Sequence, residues 1–199
     1  MSSYIEVKDG NGATVKMRGH YVGDEFCPES CSTPTGGIGN YLSKFAANEV
    51  GGSEDANGNY SVTPAVFSIA PSAGEVWYVA RLLVYIEDSG SFDSGGYGNG
   101  SALANGIAIK IVSDGVDVIS LTNDQPIKQN THWKKFCFDI ETSKFGSGNE
   151  SLGSRWTFTK GGTYIKLDGD LDEKIEVRLS DDMSDLVSQT FLFQGYTED

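Results

Sequence analysis

Residues 75–87 read EVWYVARLLVYIE, and this segment decides the fold. A strand with one face in water alternates between apolar and polar residues, but both faces are apolar here. The even face holds Val76, Tyr78, Ala80, Leu82, Val84 and Ile86. The odd face holds Trp77, Val79, Arg81, Leu83 and Tyr85. We therefore expect both faces to be covered, either in a central strand beneath loops or by a partner subunit on the second face.

Shorter segments with period-two alternation follow along the chain. Ile107, Ile109 and Ile111 alternate up to a turn at 113–115, and residues 116–119 return the chain, which predicts a hairpin. The same alternation occurs at 135–140, 155–158, 174–179 and 191–193. Short strands at this spacing, separated by turn residues, predict an all-β protein with an antiparallel β-sandwich or jelly roll.

The N-terminal part of the sequence is organised differently. Residues 4–18 predict a hairpin that turns at DGNG, residues 9–12. Residues 19–59 are the least regular, and residues 40–50 fit one short helix capped by Asn40 and ended by a Gly-Gly pair. We place a boundary near residue 60. It divides an N-terminal hairpin and irregular anchoring arm, 1–59, from a β-sandwich domain, 60–199.

The composition limits the kinds of partner that the chain can bind. The formal net charge is -13, with 15 Lys and Arg against 28 Asp and Glu, so DNA and anionic lipid would be repelled. We expect neither nucleic acid nor membrane as a partner. The opening MSSYIEVKDG has no basic segment and no apolar segment, which predicts synthesis in the cytoplasm without an export signal.

Two groups of residues have side chains that bind metals. Cys27, Cys31 and His20 are suitable zinc ligands, but no second pair of ligands follows them, which favours reduced loop cysteines. Residues 168–173 read DGDLDE and resemble the start of a calcium loop, yet a glutamate occupies the sixth position where glycine is required. An acidic turn between two strands is favoured over the alternative, a looser calcium site to which Asp181, Asp182 or Asp185 contributes. We therefore predict no metal and no cofactor.

No motif with a catalytic mechanism is found. The two histidines are His20 and His132, and His132 would point away from Cys137 in an extended segment. Chance carboxylate pairs among 28 acidic residues leave an acid hydrolase as an open alternative, but we predict that the protein is not an enzyme. The glycine-rich segment 95–100 predicts a projecting loop on which Phe92 and Tyr97 contact a partner.

Three segments resemble virion proteins of tailed bacteriophages. They are YIEVKDGNGATVKM at 4–17, VARLLVYIEDSGSFDSGGYGNGSALANGIAIKI at 79–111 and VRLSDDMSDLVSQTFLFQGY at 177–196. The resemblance implies a jelly-roll capsid decoration, or cement, protein on the surface of the virion. It also implies binding to the major capsid protein and self-association as a homotrimer. A homotrimer would cover the second apolar face of residues 75–87.

Ten residues are therefore predicted to bind partners. They lie on the N-terminal hairpin, on the odd face of residues 75–87 and on the glycine-rich loop: Tyr4, Val7, Val15, Met17, Trp77, Val79, Leu83, Tyr85, Phe92 and Tyr97. The alternative is a host-recognition or carbohydrate-binding module of a phage tail or fibre. Exposed aromatic side chains on the loop at 92–100 would favour it.

Overall fold

The computed structural model describes residues 3–8, 14–22, 25–28, 40–88, 97, 102–122, 125–129, 132, 150–158 and 164–198 of the chain. These residues include thirteen β-strands and one 3-10 turn. The chain separates into two compact units, Met1–Gly37 and Ile38–Asp199. The division thus falls between Gly37 and Ile38, and not near residue 60, because residues 40–59 contribute strands and core residues to the second unit.

The N-terminal unit contains an antiparallel sheet of three strands. They are β1 (Ser3–Lys8), β2 (Thr14–Val22) and β3 (Glu25–Pro28), in the spatial order β1-β2-β3. Both strands of the predicted hairpin are present, whereas its turn lies outside the described residues. The third strand was not predicted.

The second unit is an antiparallel β-sandwich, as the sequence predicted. Sheet I has the order β10 (Glu150–Thr157), β7 (Val76–Asp88), β13 (Leu186–Glu198) and β4 (Tyr41–Phe45), and β11 (Ile165–Asp168) also pairs with β7. Sheet II has the order β5 (Ala47–Asn48), β6 (Ala65–Ile69), β12 (Lys174–Leu179), β8 (Ala108–Ser113) and β9 (Val116–Ser120). A 3-10 turn, Gly169–Leu171, connects β11 to β12.

The hydrophobic core is formed by the inner faces of the two sheets. The following side chains within it are fully buried: Phe67, Val79, Leu82, Ile86, Ile109, Ile175, Val177, Phe191 and Phe193. Each buried side chain of this size contributes about 1.5–3 kcal/mol relative to an exposed one. The core draws on strands that are far apart in sequence, such as β4 and β13, which pair at the edge of sheet I.

The helix predicted at residues 40–50 is wrong, because this segment forms β4 and β5 instead. Ala46 lies between the two strands, is fully buried, and donates its backbone N–H to the carbonyl of Phe191 at 2.9 Å. The Asn48 side chain accepts a hydrogen bond from the Val50 backbone and holds a turn. Pairing with β13 therefore overrides the local helical preference.

The predicted hairpin that ends sheet II is confirmed. Strands β8 and β9 are joined through Asp114 and Gly115, which have φ angles of 48° and 74°. Two consecutive left-handed residues match the right-handed twist of a tight hairpin, and an Asp-Gly pair adopts them readily.

Strand β7 is interrupted by a β-bulge at Ala80. Arg81 pairs with Gln194 of β13, and the next pair is Val79 with Gly195, so Ala80 has no partner on β13. On the other edge of β7, β10 pairs as far as Arg81 and β11 begins its pairing at Val79. The extra residue exchanges the faces of the strand. The core-facing residues are odd-numbered before the bulge and even-numbered after it: Trp77, Val79, Leu82, Val84 and Ile86.

Gly195 allows the two strands to approach closely at this bulge. A Cβ atom built on Gly195 would lie 1.9 Å from the carbonyl oxygen of Tyr78. No side chain can be accommodated at that distance unless the backbone of β7 or β13 moves. The bulge therefore depends on glycine at this position.

Gly195→Ala should destabilise the protein by about 2–4 kcal/mol or more, because the added methyl group overlaps with backbone rather than with a movable side chain. Gly51→Ala is the matched control, since its Cβ would meet only the Asn48 side chain, at 4.0 Å. Urea denaturation of both variants measures the difference. Equal midpoints for the two variants would show that the close approach is not required.

The outer face of sheet II carries a continuous network of ion pairs. Lys174 binds Glu49 and Glu176, each at 2.9 Å. Arg178 binds Glu176 at 2.8 Å and also Asp117, at 2.8 Å from its second nitrogen. The hydrogen bond from Lys174 lowers the pKa of Glu49, and the hydrogen bond from Arg178 lowers the pKa of Asp117.

The lowered pKa values predict acid-sensitive stability. A carboxylate with a folded-state pKa below its unfolded-state value of about 4 stabilises the fold above that pH. This contribution is lost as the pH falls through the folded-state pKa. In the double variant Glu49→Gln/Asp117→Asn, the unfolding free energy should decrease less steeply between about pH 5 and pH 3 than it does in the wild type. At pH 7 the double variant should lose less than about 1 kcal/mol of unfolding free energy per ion pair, because the pairs are half-exposed.

Urea unfolding at a series of pH values measures this decrease. Glu54→Gln removes an exposed carboxylate outside the network and serves as the control. Parallel pH curves for the wild type and the double variant would contradict the assignment.

Candidate functional site

The outer face of sheet I differs in chemistry from the outer face of sheet II. Its central strands present three rows of cross-strand neighbours, which the register of β7, β13 and β4 defines. The apolar row consists of Leu83, Leu192 and Phe45. The polar row consists of Arg81, Gln194 and Ser43. The tyrosine row consists of Tyr78, Tyr196 and Tyr41.

The apolar row is accessible to a partner. Phe45 is 43% exposed, Leu83 and Leu192 are half-buried, and Tyr85 at the next outward position of β7 is 44% exposed. The Tyr85 hydroxyl and the Ser151 hydroxyl are 3.0 Å apart and hydrogen-bonded, which orients the ring. Adjacent apolar side chains on an open sheet face are typical of a protein interface.

Tyr164, which precedes β11, joins the tyrosine row, and we call these four residues the tyrosine cluster. The rings of Tyr78 and Tyr196 are stacked, with centroids 4.8 Å apart and an interplanar angle of 10°. Tyr164 meets Tyr196 edge to face at 5.3 Å and Tyr78 at 6.4 Å. Such geometries follow from the ring quadrupole and stabilise a fixed arrangement. Tyr41, at 67% exposure, and Tyr164, at 41%, are the most accessible members.

The hydroxyl groups of the central pair remain protonated at neutral pH. Tyr78 donates a hydrogen bond to Glu198 at 2.8 Å, and this contact, followed by burial, raises the pKa of Tyr78. Burial is the main cause that raises the pKa of Tyr196. Both side chains are therefore neutral hydrogen-bonding groups rather than phenolates.

A cavity of about 280 Å³ opens between the tyrosine cluster and the polar row. Its lining consists of Tyr41, Ala80, Arg81, Thr157, Tyr164, Gln194, Gly195 and Tyr196. The two smallest lining residues, Ala80 and Gly195, lie at the bulge of β7, so the same irregularity that exchanges the faces of the strand creates this space. We call it the bulge cavity.

The predicted site residues on β7 divide between the two faces. Leu83 and Tyr85 lie on the outer face, where a partner can reach them. Placing Trp77 and Val79 on that face was wrong, because the bulge turns both side chains into the core, with exposures of 7% and 0%. The two apolar faces were inferred on the assumption of a regular strand. Because the inward positions are odd-numbered before the bulge and even-numbered after it, core residues occur on both of those inferred faces.

The prediction for Tyr97, one of the two contact residues placed on the glycine-rich segment, is also corrected. Tyr97 is fully buried and belongs to the hydrophobic core, so the prediction that it contacts a partner from a projecting loop is wrong. Phe92 lies outside the described residues. A glycine-rich sequence predicts an exposed loop, but the ring of Tyr97 is part of the hydrophobic core.

In the N-terminal unit, the backbone register pairs Val7 with Val15, Met17 with Ile5, and Tyr4 with Arg18. Four predicted partner-binding residues therefore lie on neighbouring strands of one small sheet. Their role in binding stays a prediction.

The acidic residues that resembled a metal site accept hydrogen bonds from backbone N–H groups. Asp168 caps the 3-10 turn by accepting a hydrogen bond from the Asp170 N–H, and it pairs with Lys166 at 3.0 Å. Glu173 accepts from the Asp168 N–H at 2.9 Å. The buried Asp181 accepts from three consecutive backbone N–H groups, those of residues 104–106. Residues 168–173 therefore form an acidic turn, and Asp181 anchors the loop at residues 104–106.

The alternative zinc ligands lie in the N-terminal unit. Register places His20 opposite Cys27, and Cys31 lies outside the described residues. Over the described ranges, no group of three His, Cys, Asp or Glu side chains is arranged to hold a metal ion.

Sequence reasoning missed the tyrosine cluster. Tyr41 and Tyr196 meet because β4 pairs with β13, and no local pattern signals a contact over that separation. Tyr78 was hidden within an apparently continuous apolar face of residues 75–87.

Among the described residues, none belongs to a helix long and apolar enough to cross a membrane. Comparison of the chain with protein-family models and with curated proteins finds no match. The site is therefore interpreted from its own geometry, as an aromatic and apolar surface on one sheet of a β-sandwich.

Proposed function

We propose that this protein is a non-catalytic structural component of a bacteriophage virion, a capsid decoration protein that binds the major capsid protein. It is made in the host cytoplasm and binds at the capsid surface as a homotrimer. The single observation that carries the proposal is the contrast between the central strands of the two sheets: β7, β13 and β4 of sheet I present apolar and aromatic rows outward, whereas β12 of sheet II presents an ion-pair network.

The strand order supports the jelly-roll class that the phage resemblance implies. Eight principal strands pair first with last and inward along the chain: β4 with β13, β6 with β12, β7 with β10, and β8 with β9. This nested pairing is the topology of a rolled antiparallel ribbon, which is common in viral capsid domains.

The energetic balance favours docking through sheet I. Covering the apolar row would remove Phe45, Leu83 and Leu192 from water, and each apolar Å² contributes about 25 cal/mol. Covering the face of sheet II would desolvate its ion-pair network, and that cost can exceed the Coulombic gain. A partner therefore gains more by binding the apolar row.

The N-terminal unit supports a second attachment. It is a separate small sheet, and two binding units on one chain raise the effective concentration of each at a multivalent surface. A capsid presents many identical sites, so a trimer would multiply this effect.

Leu83→Asp should reduce binding to purified capsids at least about 10-fold, because it places an unpaired charge in the apolar row. Val118→Asp is the matched control: it makes the same kind of change at a residue of β9 that is 52% exposed, on sheet II. Co-sedimentation with capsids measures occupancy, and mass photometry of the free protein measures the trimer.

Tyr85→Glu tests the same face if Leu83→Asp fails to fold, since Tyr85 is more exposed. Loss of binding in Val118→Asp but not in the sheet I variants would refute the assigned face. A wild-type protein that is monomeric and never binds capsids would refute the proposed function.

A further inference from the structure

We propose that the bulge cavity is a binding site for a saccharide that carries a carboxylate, such as a uronic or sialic acid. This goes beyond the decoration function and does not depend on it. The cavity volume of about 280 Å³ is slightly below the usual range for ligand pockets, which suits one sugar ring better than a larger ligand.

The aromatic side chains supply the apolar contact that a pyranose requires. One face of a pyranose ring carries several C–H groups, whose slightly positive hydrogens pack against the negative face of an aromatic ring. Tyr41 and Tyr164 line the cavity and are its most exposed rings. Tyr164 is held by its contacts with Tyr78 and Tyr196, so little ordering is lost when a ligand packs on it.

The polar groups supply the hydrogen bonds that sugar hydroxyls require. Gln194 and Thr157 line the cavity together with three tyrosines, and the side chains of both can donate and accept hydrogen bonds. A saccharide presents donors and acceptors around one ring, and this mixed lining matches it better than it matches an apolar anchor from a protein.

Arg81 determines the charge of the ligand. It is the one side chain with a full charge among the eight residues that line the cavity. Its Nε donates to Gln194 Oε1 at 2.7 Å, which uses one of the five N–H donors and orients the guanidinium plane. Arginine binds carboxylates through paired N–H groups, so a fixed Arg81 favours an acidic sugar. The net charge of -13 is screened beyond about 10 Å, so this local contact dominates.

Titration of the full-length protein with a galacturonic acid trimer, 3′-sialyllactose and neutral lactose tests the proposal by calorimetry and ligand-observed NMR. At least one acidic saccharide should bind more tightly than lactose, and added salt should reduce the preference. Tyr164→Ala should weaken binding of the acidic saccharide about 10-fold or more. Arg81→Gln should remove the preference for the acidic saccharide over lactose.

Val118→Ala is the control, because this residue of β9 is 52% exposed and lies on sheet II, outside both the cavity and the proposed capsid-binding face, and it should bind saccharides as the wild type does. Arg81→Lys keeps the charge but loses the planar fork, so it should bind with intermediate strength. Melting temperatures verify that each variant is folded.

Two outcomes would overturn the proposal. In the first, neither acidic saccharide binds to the wild type at millimolar concentration; if Tyr164→Ala and Arg81→Gln also lose capsid binding, the cavity receives a side chain of a partner protein instead. In the second, Tyr164→Ala and Arg81→Gln bind the acidic saccharide as tightly as Val118→Ala does.

Discussion

Gly195 and the Tyr78 carbonyl lie so close together that β7 and β13 can keep their pairing only with glycine at this position. The approach accompanies an extra residue, Ala80, in the longest strand pairing of the sandwich. Because side chains alternate along a strand, one extra residue exchanges the inward and outward faces from that point on. The bulge thus decides which alternate residues of 75–87 point into the core on each side of Ala80 and which point outward.

The outward chemistry of sheet I follows from this constraint, and it differs from that of sheet II. On sheet I, the segment after the bulge presents Leu83 and Tyr85 outward, and the segment before it presents Tyr78 to the tyrosine cluster. On sheet II, charged residues of β12 alternate with core residues, and Glu176 lies between Lys174 and Arg178. A face that satisfies its own charges gains little from a partner, whereas an apolar and aromatic face gains from being covered.

Local patterns were sufficient for much of the fold. The Asp-Gly turn and its flanking alternation identified β8 and β9, and the alternation at residues 174–179 identified β12. These features depend on neighbours in sequence. The strands of the N-terminal hairpin were found for the same reason.

The features that were missed depend on residues far apart in the chain. The bulge needs Gly195 beside Val79, the strand at residues 41–45 needs β13, and the buried ring of Tyr97 needs a core that is built elsewhere. The tyrosine cluster combines residues from β4, β7 and β13 with Tyr164, so no single segment contains its signal. The binding surface could therefore be located only from the structure.

The exchange of faces at Ala80 is tested most directly by cysteine labelling at positions 79 and 85. In a regular strand, these positions are an even number of residues apart and would share one face. The structure instead buries Val79 fully and leaves Tyr85 44% exposed. With peptide-resolved mass spectrometry of Val79→Cys and Tyr85→Cys, we predict iodoacetamide labelling at least about 10-fold slower at 79 than at 85. Equal rates at the two positions would contradict the exchange of faces.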